Sequence, residues 1–414
     1  MTPDAKQRAE IVKLTKKRVL ANHINVAGID YGAWARHVDE RTPELLNGDV
    51  RSFEDGVRQL LAELKTSHTV FYHSLPKELL PQHTINASLR DECVDGEHRW
   101  MFLDVFEAGP ADVAGIKAGD ILEAVDGKCY APPTTPYFGI GQTHNLRVRN
   151  MHDCSSMEIG IAVPMRKGTK QRPPIVEPRS PIHSMIASGI GLLKVPYFPG
   201  SAGIGFGNDV DRALDDLKKQ GCDRLIIDLR GNIGGSLGFA RLASYMCPGQ
   251  IPIGHSLTPK RLRSGYDSAK LPRVPMPRTK PELILTLGLF AFRDKSVMLM
   301  TQGVGPQPFH GRIVILINEW TNSAAEMLAN FAAENGLAKL VGKKTRGNVL
   351  GAANFHVGGG YWLRIPVFGW FTSKGQSLEG EGVSPDVEIE NRPEKLAANV
   401  DEELNKAVDV LEGS

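Results

Sequence analysis

Residues Gly311–Leu328 read GRIVILINEWTNSAAEML. Arg312 to Ile317 is β-branched and almost uncharged, the pattern of a buried strand. Thr321, Asn322 and Ser323 are turn and cap residues, while Ala324, Ala325, Glu326, Met327 and Leu328 are strong helix formers. The run therefore predicts a strand that turns into a helix at Ser323. A hydroxyl there is held on rigid backbone, beside the first helical N–H groups, which have no intrahelical partner. Acyl transfer needs that geometry, because spare donors can stabilise a developing oxyanion. Ser323-Ala-Ala-Glu326 is equally a capping box, in which the serine only closes the helix start. Both readings stand until the remainder of the chain is considered.

The 414 residues suggest two or three domains with a substantial buried core. A formal net charge of +2 points to neither nucleic acid nor an anionic membrane as partner. The basic stretch Lys260, Arg261, Arg263, Lys270, Arg273, Arg278, Lys280 is broken by prolines and reads as a solvated loop. Cys93, Cys129, Cys154, Cys222 and Cys247 are scattered, without a CxxC pair, which argues against a disulfide framework or a zinc ribbon. No HExxH occurs, and the twelve histidines lack metal-ligand spacing, so neither metal nor cofactor is expected. The first thirty residues carry no apolar h-region and no apolar run is long enough to span a bilayer. A cytoplasmic protein without membrane insertion is the expectation.

Along the chain, residues 1–83 read as a mainly helical segment. Phe53, Val57, Leu60, Leu61 and Leu64 form an apolar helical stripe that ends at Lys65-Thr66-Ser67-His68-Thr69. Residues 84–168 form a second unit around FLDVFEAGPADVAGIKAGDILEAVDG (102–127), with turns at Gly109-Pro110, Gly115, Gly119 and Asp126-Gly127. This arrangement resembles a PDZ domain of the bacterial protease type. Lys167 to Pro181 is rich in Lys, Arg and Pro and reads as a linker. From Ile182 to residue 414 strands and helices alternate, as in an α/β core. Strands are expected at Ile190–Pro196 and Leu225–Leu229, and a helix at Val210–Lys219. Leu396, Val400, Leu404, Val408 and Leu411 predict one amphipathic C-terminal helix.

The order of segments resembles a family. A helical N-terminus, a PDZ-like insert, then LIIDLRGNIGG (225–235), VILINEWTNSAAE (314–326), LVGKKTRGN (340–348) and EGEGVSPD (379–386) resemble the carboxyl-terminal processing (tail-specific) serine peptidases. The resemblance implies an α/β fold with a crotonase/Clp-protease-like core, a helical N-terminal segment and an inserted PDZ-like β domain. It also implies a serine endopeptidase that cleaves extended or unfolded peptides through an acyl-enzyme on Ser323. Peptides or proteins would then be its partners, with a homo-oligomer left open. A non-catalytic protein binding peptide or an apolar ligand on the same fold is the alternative, and an esterase or amidase a third.

Tail-specific members use a lysine base in a TxGK-type turn, but here the turn is Thr345-Arg346-Gly347-Asn348, and an amide has no useful basicity. Lys343 and Lys344 stand four or five residues away, where they would point elsewhere. The chain instead resembles the tricorn core protease branch, whose Ser-His-Ser-Glu tetrad draws on a T-S-H turn and an E-x-x-G-V-x-P-D stretch. Those match Thr66-Ser67-His68 and Glu379–Asp386. His68 can be neutral at pH 7 and take the Ser323 proton. A third group, Ser67 or Glu379, must orient the imidazole; the resemblance implies that Glu379 acts through Ser67. It also implies that an N–H of the Gly234-Gly235 pair joins that of Ala324 as the oxyanion hole, and the sequence does not choose between the glycines. Asp228 and Arg230 read as a structural ion pair. The PDZ-like unit lacks the expected carboxylate-loop glycine near Asn86-Ala87-Ser88-Leu89-Arg90 and carries a Pro- and Thr-rich insert, Ala131 to Tyr137. A free substrate C-terminus should therefore matter less.

Overall fold

The computed structural model describes residues 3–73, 77–167, 174–200, 202–290 and 294–413. Residues 168–173 of the predicted linker and 74–76 of the predicted N-terminal segment lie outside the described set. The chain is mixed α/β and divides into two compact units, each assembled from three stretches of sequence.

The first unit comprises residues 1–76, 251–301 and 347–382. Its helices Ala5–Asn22, Tyr31–Asn47 and Val50–Ala62 each start at an aspartate, Asp4, Asp30 or Asp49, whose carboxylate accepts main-chain N–H groups of the first turn. The predicted stripe is buried throughout, with Phe53, Val57, Leu60, Leu61 and Leu64 all at most 3 % exposed. It packs on the long strand Tyr361–Thr372, which pairs antiparallel with Val70–His73, Gly351–His356 and Pro252–Leu257. Phe71 and Tyr361 stack at 5.0 Å and Phe53 meets both edge-on, the offset and T-shaped arrangements that aromatic quadrupoles favour. The basic stretch is not one loop. It contains the helix Pro259–Arg263, a 3-10 turn at Ser268–Lys270 and the strand Arg273–Pro275.

The second unit comprises residues 77–250, 302–346 and 383–414. Its main sheet runs Ile182–Ala187, Ile190–Lys194, Arg224–Asp228, Ile313–Ile317, Lys339–Gly342, Val387–Glu388, and all pairs but the first are parallel. The Ile313–Ile317 strand is buried along its whole length, as its uninterrupted apolar run requires of a strand covered on both faces. The helix expected at Val210 begins earlier and spans Ile204–Lys219. A second, antiparallel sheet is built from Ala87–Val94, Glu97–Val105, Ile121–Val125, Thr143–Arg149 and Ser156–Ala162, with a short helix at Pro110–Val113. Among the described residues the five cysteines are free, no group of side chains could hold a metal ion, and no helix is long and apolar enough to cross a membrane.

The single C-terminal helix expected from Leu396 to Leu411 is two. Pro393–Ala397 and Glu402–Glu412 are separated at Asn399, whose φ of 60° breaks the helical path. Leu396 packs against Met101 and Ile121 of the antiparallel sheet, Val400 is exposed, and Ala407 and Leu411 cover the parallel sheet. The apolar spacing was real, but it served two different surfaces.

Asp228 and Arg230 form the expected ion pair, at 2.8 Å, and it is larger than a pair. Arg230 also bonds Asp401 at 2.8 Å and Glu403 at 2.8 Å, which ties the Glu402–Glu412 helix to the end of the Arg224–Asp228 strand. Burial pushes the Glu403 carboxyl up to about 7 against the pull of Arg230. Removing the guanidinium would leave three carboxylates, two of them fully buried, without a counter-charge. Arg230→Ala is therefore expected to destabilise the protein by about 3–5 kcal/mol, read as a lowered midpoint in chemical unfolding.

Candidate active site

In the second unit, the strands Arg224–Asp228 and Ile313–Ile317 are parallel neighbours, with Asp228 opposite Leu316. Their following loops, Leu229–Gly235 and Asn318–Ser323, therefore leave the same, C-terminal edge of the sheet, where open α/β sheets place ligands. Side-chain amides lock the loops together. Asn318 Oδ1 accepts from the N–H groups of Gly231 (3.0 Å) and Trp320 (3.0 Å). The Asn322 N–H donates to the Asn232 carbonyl at 2.8 Å, and Thr321 Oγ1 donates to the Leu229 carbonyl at 2.8 Å. Asn318 Nδ2 also reaches Asp104, at 3.2 Å to each oxygen, anchoring the antiparallel sheet to the same loop. Burial raises the Asp104 carboxyl, with Ser88 and Arg230 working against that rise.

Ser323 lies at the turn with φ 56° and ψ −117°. An ordinary N-cap has extended backbone, as Asp4, Asp30 and Asp49 do here. A positive φ at a non-glycine residue is a strained conformation that the surroundings must enforce. Glu326, fully buried, does part of this. Its Oε2 accepts the Ser323 N–H at 2.9 Å, and its Oε1 accepts from Thr345 Oγ1 at 2.6 Å. Thr345 is pinned in turn to Val383 by its N–H (3.0 Å) and its hydroxyl oxygen (2.8 Å). The threonine of the Thr345–Asn348 turn is thus part of what supports Ser323.

The Gly234-Gly235 pair lies against this turn. A methyl on Gly234 would come 2.7 Å from Ser323 Cβ, so only glycine fits. The Gly234 N–H is occupied, donating to Asn232 Oδ1 at 2.7 Å. The N–H groups of Gly235 (φ 136°) and Ala324 have no hydrogen-bond partner among the described residues. Two free donors therefore flank the Ser323 turn. Of the lysines near the Asn348 position, Lys343 is ion-paired with Glu390 at 2.7 Å and Lys344 is exposed.

In the first unit, Ser67, His68 and Glu379 come together. Ser67 Oγ is 2.7 Å from His68 Nδ1. Glu379 Oε1 accepts the Ser67 main-chain N–H at 2.6 Å and its Oε2 accepts the Val349 N–H at 3.0 Å. The carboxylate thus holds Ser67 by its backbone, while the Ser67 side chain holds the imidazole. Burial, with the Arg364 guanidinium adding, lowers the His68 pKa to about 4.

Sequence reasoning singled out Ser323, Ala324 and the glycines, with Glu326 as a capping-box partner, but not Asn232, Asn318 or Thr345 as their supports. The available signal was positional: Asn318 directly follows a buried apolar strand, and Asn232 follows another after three residues.

Comparison with known proteins agrees with this architecture. Residues 189–389 match the model of peptidase family S41. The chain is 25% identical over 415 residues to tricorn protease homolog 2 of Streptomyces coelicolor, covering 94% of this chain and 31% of that protein. It is 23% identical over 316 residues to the carboxyl-terminal-processing protease of Picosynechococcus sp., covering 73% of this chain and 64% of the relative. It therefore spans less than two thirds of the length of either curated relative. Among solved structures, the photosystem II D1 C-terminal processing protease superposes with a TM-score of 0.56 over 94% of both chains at 16% identity, a likeness of fold. The match to peptidase family S41 thus covers residues 189–389, just under half of this chain.

Proposed function

We propose that the protein is a serine endopeptidase acting on extended peptides, with Ser323 as nucleophile and His68 as general base. What carries the reading is the Ser323 turn itself: a strained strand-to-helix serine flanked by the free N–H groups of Gly235 and Ala324. Such donors bind the oxyanion of a tetrahedral intermediate more strongly than the ground-state carbonyl, and so lower the barrier. In this reading Gly235 supplies the second donor, and Gly234 keeps the space beside Ser323 open.

His68 would take the Ser323 proton on Nε2, since Nδ1 is engaged with Ser67, and return it to the leaving amine. Ser67 fixes the tautomer, and Glu379 holds Ser67. A metal-free, cofactor-free acyl-enzyme mechanism needs no further group. The branch with a Ser-His-Ser-Glu tetrad fits better than a Ser-Lys dyad, because Lys343 is committed to Glu390.

The antiparallel sheet of residues 84–168 fits a PDZ-like role with a weakened tail site. Phe102 directs its own N–H and carbonyl to Asp120 and Gly119, so its partner Leu89 turns its main-chain groups to the outer edge of the sheet. There the Leu89 carbonyl accepts the Trp320 indole N–H at 3.0 Å. A peptide adding as a strand along this edge would have to displace that bond.

A fluorophosphonate should label Ser323 alone, and Ser323→Ala should lose both labelling and peptide hydrolysis; a folded wild-type protein inert to the probe and to peptides would overturn the assignment. His68→Ala is expected to cost about a hundredfold or more in kcat, whereas Lys343→Ala and Lys344→Ala stay near wild type. Because the His68 pKa is lowered, the neutral base persists down to about pH 4. The acid limb of kcat/KM should accordingly fall well below the ordinary histidine value of 6.5. A peptide and its C-terminal amide should be cleaved with efficiencies within roughly fivefold of each other; a preference on the order of a hundredfold for the free carboxylate would show a working tail site.

A further inference from the structure

We propose that His23 is the positioning residue of the Ser67–His68 turn, holding it through the hydroxyls of Thr66 and Thr69. The inference rests on His68 being the base, and deepens that reading by naming what keeps the base in place.

His23 is completely buried at the end of the Ala5–Asn22 helix. Its Nδ1 is 2.7 Å from Tyr31 Oη and its Nε2 is 2.9 Å from Thr66 Oγ1. Tyr31 Oη also donates to the His23 carbonyl at 3.0 Å, and Thr66 Oγ1 is 3.1 Å from Thr69 Oγ1. These contacts admit one arrangement of protons. A carbonyl cannot donate, so the single Tyr31 proton goes to the His23 oxygen, and His23 Nδ1–H must donate to Tyr31 Oη. Burial holds the ring neutral, with its pKa lowered to about 4. Nε2 is then an acceptor, Thr66 donates to it, and Thr66 Oγ1 is left to accept from Thr69. Every proton in the chain has a direction, and it ends on the two threonines that bracket Ser67 and His68.

Two further observations show why the turn needs such a hold. Lys65 and His68 have φ of 49° and 60°, conformations that non-glycine residues adopt only when surroundings impose them. Packing does not do so on one flank, where a cavity of about 490 Å³ is lined by Leu61, Lys65, Thr66, Thr69, Val70 and Phe71. With no dense packing there to resist a shift, the hydrogen bonds of Thr66 to His23 and of the Ser67 amide to Glu379 hold the turn that carries the imidazole. Glu379 secures the Ser67 amide; His23 secures the flanking hydroxyls.

The test compares Thr66→Val, which keeps the shape and removes the hydroxyl, with Thr66→Ser, which keeps the hydroxyl. A displacement of the base by about 1 Å costs on the order of a hundredfold, so Thr66→Val should lower kcat about tenfold or more while KM stays within twofold. Thr66→Ser should restore kcat. In histidine-labelled protein the His68 ring resonances should move in Thr66→Val and return in Thr66→Ser. Tyr31→Phe, which removes the acceptor for His23 Nδ1–H, should shift them in the same direction and serves if Thr66→Val does not fold. Unchanged His68 resonances with kcat within twofold of wild type would overturn the positioning role. The base reading fails by a separate result, a His68→Ala protein that keeps its activity.

Discussion

Glu326 holds the Ser323 turn, around which the loops at the edge of the second unit's parallel sheet are arranged. One oxygen of its buried carboxylate restrains the Ser323 amide and the other is restrained by Thr345. A carboxylate taken out of water is costly unless its lone pairs are satisfied, and here both oxygens are engaged by groups on different loops. The Ser323 conformation, the Thr345 turn and the Val383 segment therefore stand or fall together. The strain at Ser323 is offset by a network that is fully made only when all three loops are in place.

The same logic runs through the other polar groups at the sheet edge. Asn318 and Asn232 use both ends of their amides to join loops that follow different strands. Arg230 draws the Glu402–Glu412 helix onto the same edge. Buried polar networks of this kind add little to stability over an apolar core, but they permit one geometry and penalise its neighbours. Two parallel strands deliver the loops to one end of the sheet; the amides and ions then set the loops to within a hydrogen bond of each other.

Much of this was legible in the sequence because the strongest signals are local. The apolar run Ile313–Ile317, the helix formers after Ser323 and the stripe from Phe53 to Leu64 each declare their element without outside help. Two kinds of fact were not legible. The Ser323–Glu326 capping box forms as the spacing allows, but the positive φ at Ser323 is not that of an ordinary cap, and no spacing rule supplies it. The choice between Gly234 and Gly235 likewise depends on the position of the Asn232 side chain, which no spacing rule supplies. The C-terminal helix failed for the opposite reason: Leu396 kept helical spacing with Leu404 while packing on a different sheet. His23 gave no signal, since an isolated histidine at a helix end has no pattern to read.

The two units are interleaved in sequence, each returning to the chain three times. The Ser67 amide meets its acceptor, Glu379, across 312 residues. A chain emerging from the ribosome therefore makes its Ser67–His68 turn long before the carboxylate that secures it exists. Contacts of such long sequence separation form late in folding. The arrangement amounts to a delay built into topology: a nascent chain lacks this part of its proposed machinery until residue 379 has been made.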